Sequence, residues 1–246
     1  IVDVQERNGF TLDVQKATCL QAELTDKASV IEEKLQEKYP PITQERVSEK
    51  TGKRLKDKII VFNPSSRQQI AARLMEQGWK PDNFTPTGHP IVDEGTLKNV
   101  DIPEAQMIAE YLLLNKRTAQ IKSWLELLEE DGKVHGKVLT LKAISGRMAH
   151  FGPNMAQVPA VYSPYGKQCR ACWSSSSPDR VLVGCDASSL ELRCLAHYMK
   201  DDDYTKEVVE GDIHTANQKA AGLATRDQAK TFIYAFIYGA GSAKIG

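Results

Sequence analysis

Arg226, Lys230, Tyr234 and Tyr238 recur every four residues in the segment Arg226-Asp-Gln-Ala-Lys230-Thr-Phe-Ile-Tyr234-Ala-Phe-Ile-Tyr238-Gly239. On a helix of about 3.6 residues per turn, that spacing draws one slowly rotating stripe of two cations followed by two phenols. Fixed cations near a helix N-terminus suit a polyphosphate, because guanidinium, ammonium and helix dipole all favour anions there. The phenols farther along offer flat surfaces for a sugar or a base. Ala229, Phe232, Ile233, Phe236 and Ile237 fill most of the remaining circumference and are expected to seat the helix on a core. Thr225 with Gln228 reads as a capping box, and Gly239 and Gly241 end the helix. Taken alone, Arg-x-x-x-Lys is most simply an amphipathic helix with solvated charges. A second motif changes that reading.

That motif is Val181-Leu-Val-Gly-Cys185-Asp186-Ala-Ser-Ser-Leu-Glu191-Leu-Arg193. Val181 to Val183 form an apolar run of strand type, with Asp186 where the strand ends. Ser188 or Ser189 can cap a helix running through Leu190, Leu192, Leu195 and Ala196. A carboxylate at a strand end beside a helix start suits Mg²⁺, which takes one or two carboxylates plus phosphate oxygens. Without a partner motif, Asp186 would merely cap a turn.

Together the two motifs resemble a known family. Asp186-x-x-x-x-Glu191-Leu-Arg193 looks like motif A of family A DNA polymerases, and Arg226-x-x-x-Lys230-x-x-x-Tyr234-x-x-x-Tyr238-Gly239 looks like their motif B. Gly211-Asp-Ile-His214-Thr lies between them, where the family carries a phosphate-contacting histidine. Ser145-Gly-Arg147, followed by Pro153-Asn154-x-x-Gln157-x-Pro159, resembles the family's primer-template contact segment. Phe62-Asn-Pro-Ser-Ser66, Gly78-Trp-Lys-Pro81 and Thr85-x-Thr-Gly88-x-Pro90 resemble its thumb, and Glu6-Arg-Asn-Gly9 the strand leading into it. Asp186-Ala-Ser-x-Leu-Glu-Leu-Arg-Cys-Leu-Ala-His197 and Ser163-Pro-Tyr-Gly are most like the replicative polymerases of T-odd coliphages.

The resemblance implies template-directed DNA synthesis in viral DNA replication: nucleotidyl transfer from a dNTP to a primer 3′-hydroxyl, assisted by two Mg²⁺ ions. It implies that Asp186 ligates both ions, that the peptide carbonyl of Ala187 adds a ligand, and that Arg226, Lys230 and His214 grip the β- and γ-phosphates. Lys230 would also protonate the departing pyrophosphate. Glu191, Tyr234 and Tyr238 would line the nucleotide site, Glu191 as a gate against the ribose 2′-hydroxyl. Arg147, Asn154 and Gln157 would meet the primer terminus and the minor groove, checking shape rather than sequence. Ala187 and Ser189 stand where the family commonly has tyrosine and glutamine, a departure that touches sugar positioning and no catalytic group.

The family's second catalytic carboxylate belongs to a later His-Asp-Glu motif, a tripeptide that does not occur in these 246 residues. With no initial Met, no signal peptide and no apolar run near the roughly 20 residues that cross a membrane, the expectation is an excerpt of a larger cytoplasmic enzyme, in the host cytoplasm if viral. Its expected partners are primer-template DNA and dNTPs, with no membrane. The 32 basic and 32 acidic residues balance, which argues against nonspecific coating of nucleic acid but not against local tracks. Arg46, Lys50, Lys53, Arg54, Lys56 and Lys58 form one track, set against Glu49 and Asp57, which reads equally as a local basic track or as a solvated loop. In the phage relatives a much longer insertion here recruits host thioredoxin; the short segment in this chain speaks against a thioredoxin-type processivity factor. Five cysteines, an odd number, indicate a reducing compartment rather than a disulfide framework. Cys169-Arg-Ala-Cys172 has zinc-knuckle spacing without a second pair. Gly239-Ala-Gly241-x-x-x-x-Gly246 follows a helix rather than a strand, which disqualifies it as a dinucleotide fingerprint.

Periodicity supplies the elements that must position these groups. Val14, Ala17, Leu20, Leu24, Ala28, Ile31 and Leu35 mark one long amphipathic helix. Ser65-x-x-Gln68 starts a second, which Gly78 ends, and a third begins near Pro103-Glu104 and carries Ile108, Leu112 and Leu113. Gly132-Lys-Val-His-Gly136 and Val181 to Asp186 read as strands of an antiparallel palm sheet, and the pattern turns helical from about His197. The expected fold is therefore α+β, a fragment of a polymerase right hand. Its parts are a palm strand leading in (1–12), a helical thumb (13–125), a partial palm (126–196) and the first fingers helices (197–246). Three alternatives remain: a single-subunit RNA polymerase, against which Glu191 counts; a DNA-binding module without activity; and a nuclease, for which no acidic cluster of exonuclease spacing is visible.

Overall fold

A computed structural model describes residues 1–47, 52–177 and 179–241. They fall into two compact units, Ile1–Leu182 and the residues from Val183 on. The chain is α+β, as expected, with helices dominating and small antiparallel sheets between them.

The first unit opens with α1 (Val2–Asn8) and β1 (Phe10–Leu12), so the expected strand begins only at Phe10. Before it, Asp3 and Arg7 pair one turn apart and hold a helix with no buried residue. Next come α2 (Val14–Lys38), the hairpin β2 (Ile42–Val47) and β3 (Arg54–Ile60), α3 (Arg67–Glu76), α4 (Glu94–Lys98) and α5 (Pro103–Glu126). Helix α2 starts where Asp13 accepts the Lys16 amide at 3.0 Å, and α5 starts with Pro103, whose missing N–H is no loss there. The cap of α3 is Ser66 with Gln69, one residue beyond the expected pair, because Ser65 is held in a turn by Asn63 Oδ1 at 2.9 Å.

Helices α2 and α5 run through two adjoining cores. In one, Leu20, Leu24 and Ala28 meet Tyr111, Leu114, Ile121 and Trp124. In the other, Leu35 and Tyr39 meet Ile70, Leu74, Leu97 and Ile108. The three helices read from periodicity are thus present and meet in the second core. Of the basic track, Arg46, Arg54, Lys56 and Lys58 lie on the paired strands β2 and β3, which run antiparallel from Ile42↔Ile60 to Val47↔Arg54 with a bulge between Gln44 and Arg46. Arg54 reaches Glu45 at 3.2 Å and Asp57 at 3.3 Å. Lys50 and Glu49 lie outside the described residues.

The rest of the first unit holds β4 (Lys133–Val134), β5 (Lys137–Leu139), β6 (Ala149–Phe151), a 3₁₀ turn (Met155–Gln157), α6 (Gly166–Ala171) and β7 (Trp173–Ser174). The strand expected at Gly132–Gly136 is β4, which joins β1 and β7 in a sheet of order β4-β1-β7. His135 fastens this corner: its Nδ1 meets the Glu6 carbonyl at 2.7 Å and its Nε2 meets Asp131 Oδ2 at 3.1 Å. Gly9, at φ 61°, passes so close under the ring that a Cβ would sit 2.8 Å from it. Cys169 and Cys172 are buried in the first core, where burial pushes the Cys172 thiol up to about 11.

The strand expected at Val181–Asp186 does not form. Residues 181–187 have no regular structure, and Val181, Leu182 and Val183 are exposed. An apolar triplet becomes a strand only when a neighbour takes its amides and carbonyls, and no strand among the described residues pairs with it. The second unit is helical: α7 (Leu190–Met199), α8 (Asp202–Glu210), α9 (Ile213–Ala220) and α10 (Arg226–Ile237), as the pattern beyond His197 predicts. Leu192, Ala196, Val208 and Ile213 form its core, with Ile233 and Ile237 packed against it. Phe236 departs from expectation. It lies exposed and stacked on Phe232 at 6.5 Å, because the small core accepts only the isoleucine face of α10. Among the described residues, no helix is long and apolar enough to cross a membrane.

Candidate active site

The expected site residues of the second unit sit on α7, α9 and α10 and on the segment before α7. Helix α10 begins at a complete capping box: Thr225 Oγ1 accepts the Gln228 amide at 3.2 Å, and Gln228 Oε1 accepts the Thr225 amide at 3.0 Å. Ala229 is its anchor to the interior. The box fixes where the helix starts and hence the direction in which Arg226, Lys230 and Tyr234 leave it. Tyr238 caps the C-terminus, and Gly239 follows in the left-handed region at φ 73°.

His214 is 6% exposed, and its ring centroid lies 6.0 Å from that of Tyr234. Its buried Nδ1 has no hydrogen-bond partner among the described residues. Burial, together with the Arg226 and Lys230 charges, pushes the imidazole below its ordinary pKa. Lys230 is exposed and has no carboxylate partner among the described residues. Burial also raises the Tyr234 phenol above its ordinary value, with the charges of Glu191, Tyr238 and Asp186 adding to the effect. Tyr238 donates its hydroxyl to Glu191 Oε1 at 3.1 Å, which ties the end of α10 to the first turn of α7.

Asp186 and Ala187 are exposed in the irregular segment before α7. Ser189 occupies the expected N-cap position, yet its side chain makes no capping bond, because at φ 52° it lacks the extended geometry that aims a cap oxygen at the helix. The described residues contain no cluster of three or more His, Cys, Asp or Glu that could hold a metal ion. Asp186 does offer a hard, exposed carboxylate whose charge reaches Tyr234, a donor of the kind Mg²⁺ combines with phosphate oxygens.

Sequence reasoning missed Asp212. It caps α9 by accepting the His214 amide at 3.2 Å, the Thr215 amide at 3.5 Å and the Thr215 hydroxyl at 2.7 Å. It also accepts Arg226 Nε at 2.8 Å and Nη2 at 3.0 Å. The Asp-x-x-Thr pattern at a helix start was the available signal for the cap. Nothing local signalled the arginine.

The first unit carries the remaining three expected residues. Arg147 closes a tight turn between β5 and β6, where its carbonyl accepts the Ala143 amide at 3.3 Å. Asn154 stands at the N-cap of the 3₁₀ turn and Gln157 ends it, and both line one open cleft of ≈ 600 Å³ together with Lys116, Arg117 and Gln120. Gln120 donates to the Gln157 carbonyl at 2.8 Å, and the buried Asn154 Oδ1 has no partner among the described residues. Arg147 does not line that cleft.

The family model for DNA polymerase family A matches residues 26–246. The DNA-directed DNA polymerase of Enterobacteria phage T3 is 50% identical over 207 residues, 76% of this chain and 29% of that protein. The DNA-directed DNA polymerase of Escherichia phage T7 is 49% identical over 207 residues, with the same coverage. The chain thus spans less than a third of the length of these relatives. Among solved structures, the POL domain of Pol1 from M. smegmatis, in complex with DNA primer-template and dNTP, matches with a TM-score of 0.77. That match covers 99% of this chain and 42% of the other at 19% identity, so it bears on the fold alone.

Proposed function

The chain belongs to DNA polymerase family A, and from that premise we propose that it carries the nucleotide-binding half of a site for template-directed DNA synthesis in viral replication. The observation behind this reading is one chain of contacts in the second unit. Burial and the Arg226 and Lys230 charges push the His214 imidazole down, His214 neighbours Tyr234, Tyr234 feels Glu191 and Asp186, and Glu191 accepts from Tyr238. Two cations, an imidazole, two phenols and two carboxylates on that scale suit a nucleoside triphosphate, whose charged, sugar and base ends need those groups in turn.

Arg226 and Lys230 bind the β- and γ-phosphates, and the unpaired Lys230 ammonium carries a proton that a departing pyrophosphate can take. His214, kept neutral by burial and by its cationic neighbours, donates one N–H without adding charge. Asp186 and the Ala187 carbonyl would hold the divalent ions, two Mg²⁺ that need a second carboxylate besides Asp186. When bound, those ions would stabilise the attacking and leaving oxygens. Glu191, steadied by Tyr238, walls off the space of a ribose 2′-hydroxyl. Arg147, Asn154 and Gln157 meet primer-template DNA in the first unit, whose helical part we read as the thumb (13–125). Residues 126–196 then belong to the palm and 197–246 to the fingers, and the short hairpin at the thumb speaks against a thioredoxin-type factor.

The test is Asp186→Asn in the full-length protein that contains this chain. A neutral amide cannot balance Mg²⁺, whereas duplex binding rests on phosphate contacts elsewhere. Primer extension is expected to disappear while primer-template affinity stays within about threefold of wild type. Extension at even a tenth of the wild-type rate removes Asp186 from the metal.

A further inference from the structure

Arg226 does not project freely into solvent. Its side edge, Nε and Nη2, is fastened to Asp212 by two bonds of 2.8 and 3.0 Å. Asp212 is itself pinned from behind, accepting two backbone amides and the Thr215 hydroxyl at the start of α9. One carboxylate therefore joins the first turns of the two helices that carry His214 and Arg226. Helices α9 and α10 are connected by the loop from Ala221 to Thr225 and packed against each other, and the Asp212–Arg226 pair ties their N-terminal turns together directly. The ion pair is held below solvent titration, because Arg226 first, and Thr215 after it, keep the Asp212 carboxyl well below the usual carboxylate range.

Two consequences of this arrangement oppose each other. Asp212 could compete with a phosphate for the guanidinium, or it could present the guanidinium to the phosphate. The bonding pattern decides between them. A guanidinium carries five N–H donors in a fixed plane. Asp212 takes only the side edge and leaves the end edge, Nη1 with the outer hydrogen of Nη2, facing away from the carboxylate. A bidentate phosphate contact needs one edge. Asp212 also takes the amides of His214 and Thr215, so those two first-turn donors of α9 are not offered to an anion. The anion is left with the end edge of Arg226, Lys230 and His214.

We propose that Asp212 is a positioning residue for the nucleotide: it fixes the plane of the Arg226 guanidinium, so that its end edge meets the triphosphate without an ordering cost at binding. The inference deepens the nucleotide reading above and rests on it. Pre-organisation of this kind reduces the loss of rotamer freedom that an arginine otherwise suffers when it is immobilised by a ligand.

The experiment is single-turnover incorporation at varied dNTP by the full-length protein bearing Asp212→Asn, Arg226→Ala or both. Asparagine is an equally good N-cap, so α9 keeps its cap while the ion pair is lost. Should Asp212→Asn fail to fold, Asp212→Ser serves the same purpose. The apparent dNTP dissociation constant is expected to rise about tenfold in Asp212→Asn, with primer-template affinity unchanged, and further in Arg226→Ala. The double variant should match Arg226→Ala within about twofold, since the aspartate acts only through the arginine. Tighter or unchanged dNTP binding in Asp212→Asn overturns the proposal, as do penalties that multiply in the double variant. If Arg226→Ala weakens dNTP binding and Asp212→Asn does not, only the positioning role falls. An Arg226→Ala variant with normal dNTP dependence removes the nucleotide reading itself.

Discussion

Replacing Tyr234 by Phe deletes one hydroxyl and leaves the ring in place, which makes it the cleanest probe of this face of α10. The ring packs 6.0 Å from His214, and no hydrogen bond joins the hydroxyl to another described residue. Its removal therefore orphans no protein group, and stability should stay within about 0.5 kcal/mol of wild type. Burial raises the phenol above its ordinary value, so the hydroxyl remains a protonated donor throughout the neutral and mildly alkaline range. With the sugar of the incoming nucleotide against it, that hydroxyl can fill the place of a missing 3′-hydroxyl and complete the hydrogen bonding of the phosphates. A dideoxynucleotide is then accepted nearly as well as a normal one. In Tyr234→Phe the gap is unfilled, and a polar group left unmatched costs about 1–3 kcal/mol, or about fivefold to 150-fold in selectivity at 25 °C. The assay is single-turnover incorporation of ddNTP against dNTP by both full-length proteins, with thermal unfolding as the control. If Tyr234 only packs on the helix, the ddNTP-to-dNTP ratio will not move, and this face of α10 does not meet the sugar.

Two further outcomes are expected. Glu191→Ala should raise kcat/KM for rNTPs relative to dNTPs by about tenfold or more, because it empties the space held by the Glu191–Tyr238 pair; an unmoved ratio returns weight to an RNA polymerase. In the first unit, both His135 nitrogens face acceptors, the Glu6 carbonyl and Asp131, with Glu129 nearby and Lys133 bonded to Asn8. The Glu6 carbonyl first, and Asp131 after it, raise the imidazole above its ordinary value, so the imidazolium is favoured in the folded state. That stabilisation is complete below the unfolded pKa of about 6.5 and is lost as pH rises through the raised folded value. Urea unfolding followed by tryptophan fluorescence should show stability falling between about pH 6 and 8, and His135→Gln should flatten that slope. Equal slopes in the two proteins would show that His135 carries no such coupling.

What the sequence determined by itself was local. Helix α10, its capping box and its four-residue stripe follow from Thr225, Gln228 and a 3.6-residue period, all within one stretch of chain. The same holds for α2, whose buried face is Ala17, Leu20, Leu24, Ala28 and Leu35, and for the family motifs, which are short and contiguous. In β3, Arg54, Lys56 and Lys58 alternate at strand period, a local signal that their shared charge masks. Tertiary structure decided whatever needed a partner distant in sequence. Val181 to Val183 has strand composition and no strand, because a ladder is a property of two segments and the second is not among the described residues. Conversely, β1, β4 and β7 are each too short to announce themselves, and become a sheet only because the α2–α5 core brings Phe10, Val134 and Trp173 within pairing distance. Asp212 belongs to the same class. Nothing in Gly-Asp-Ile-His predicts a bond to Arg226, 14 residues on, until the packing of Ile213 and Ile233 into one core sets the two helix N-termini side by side.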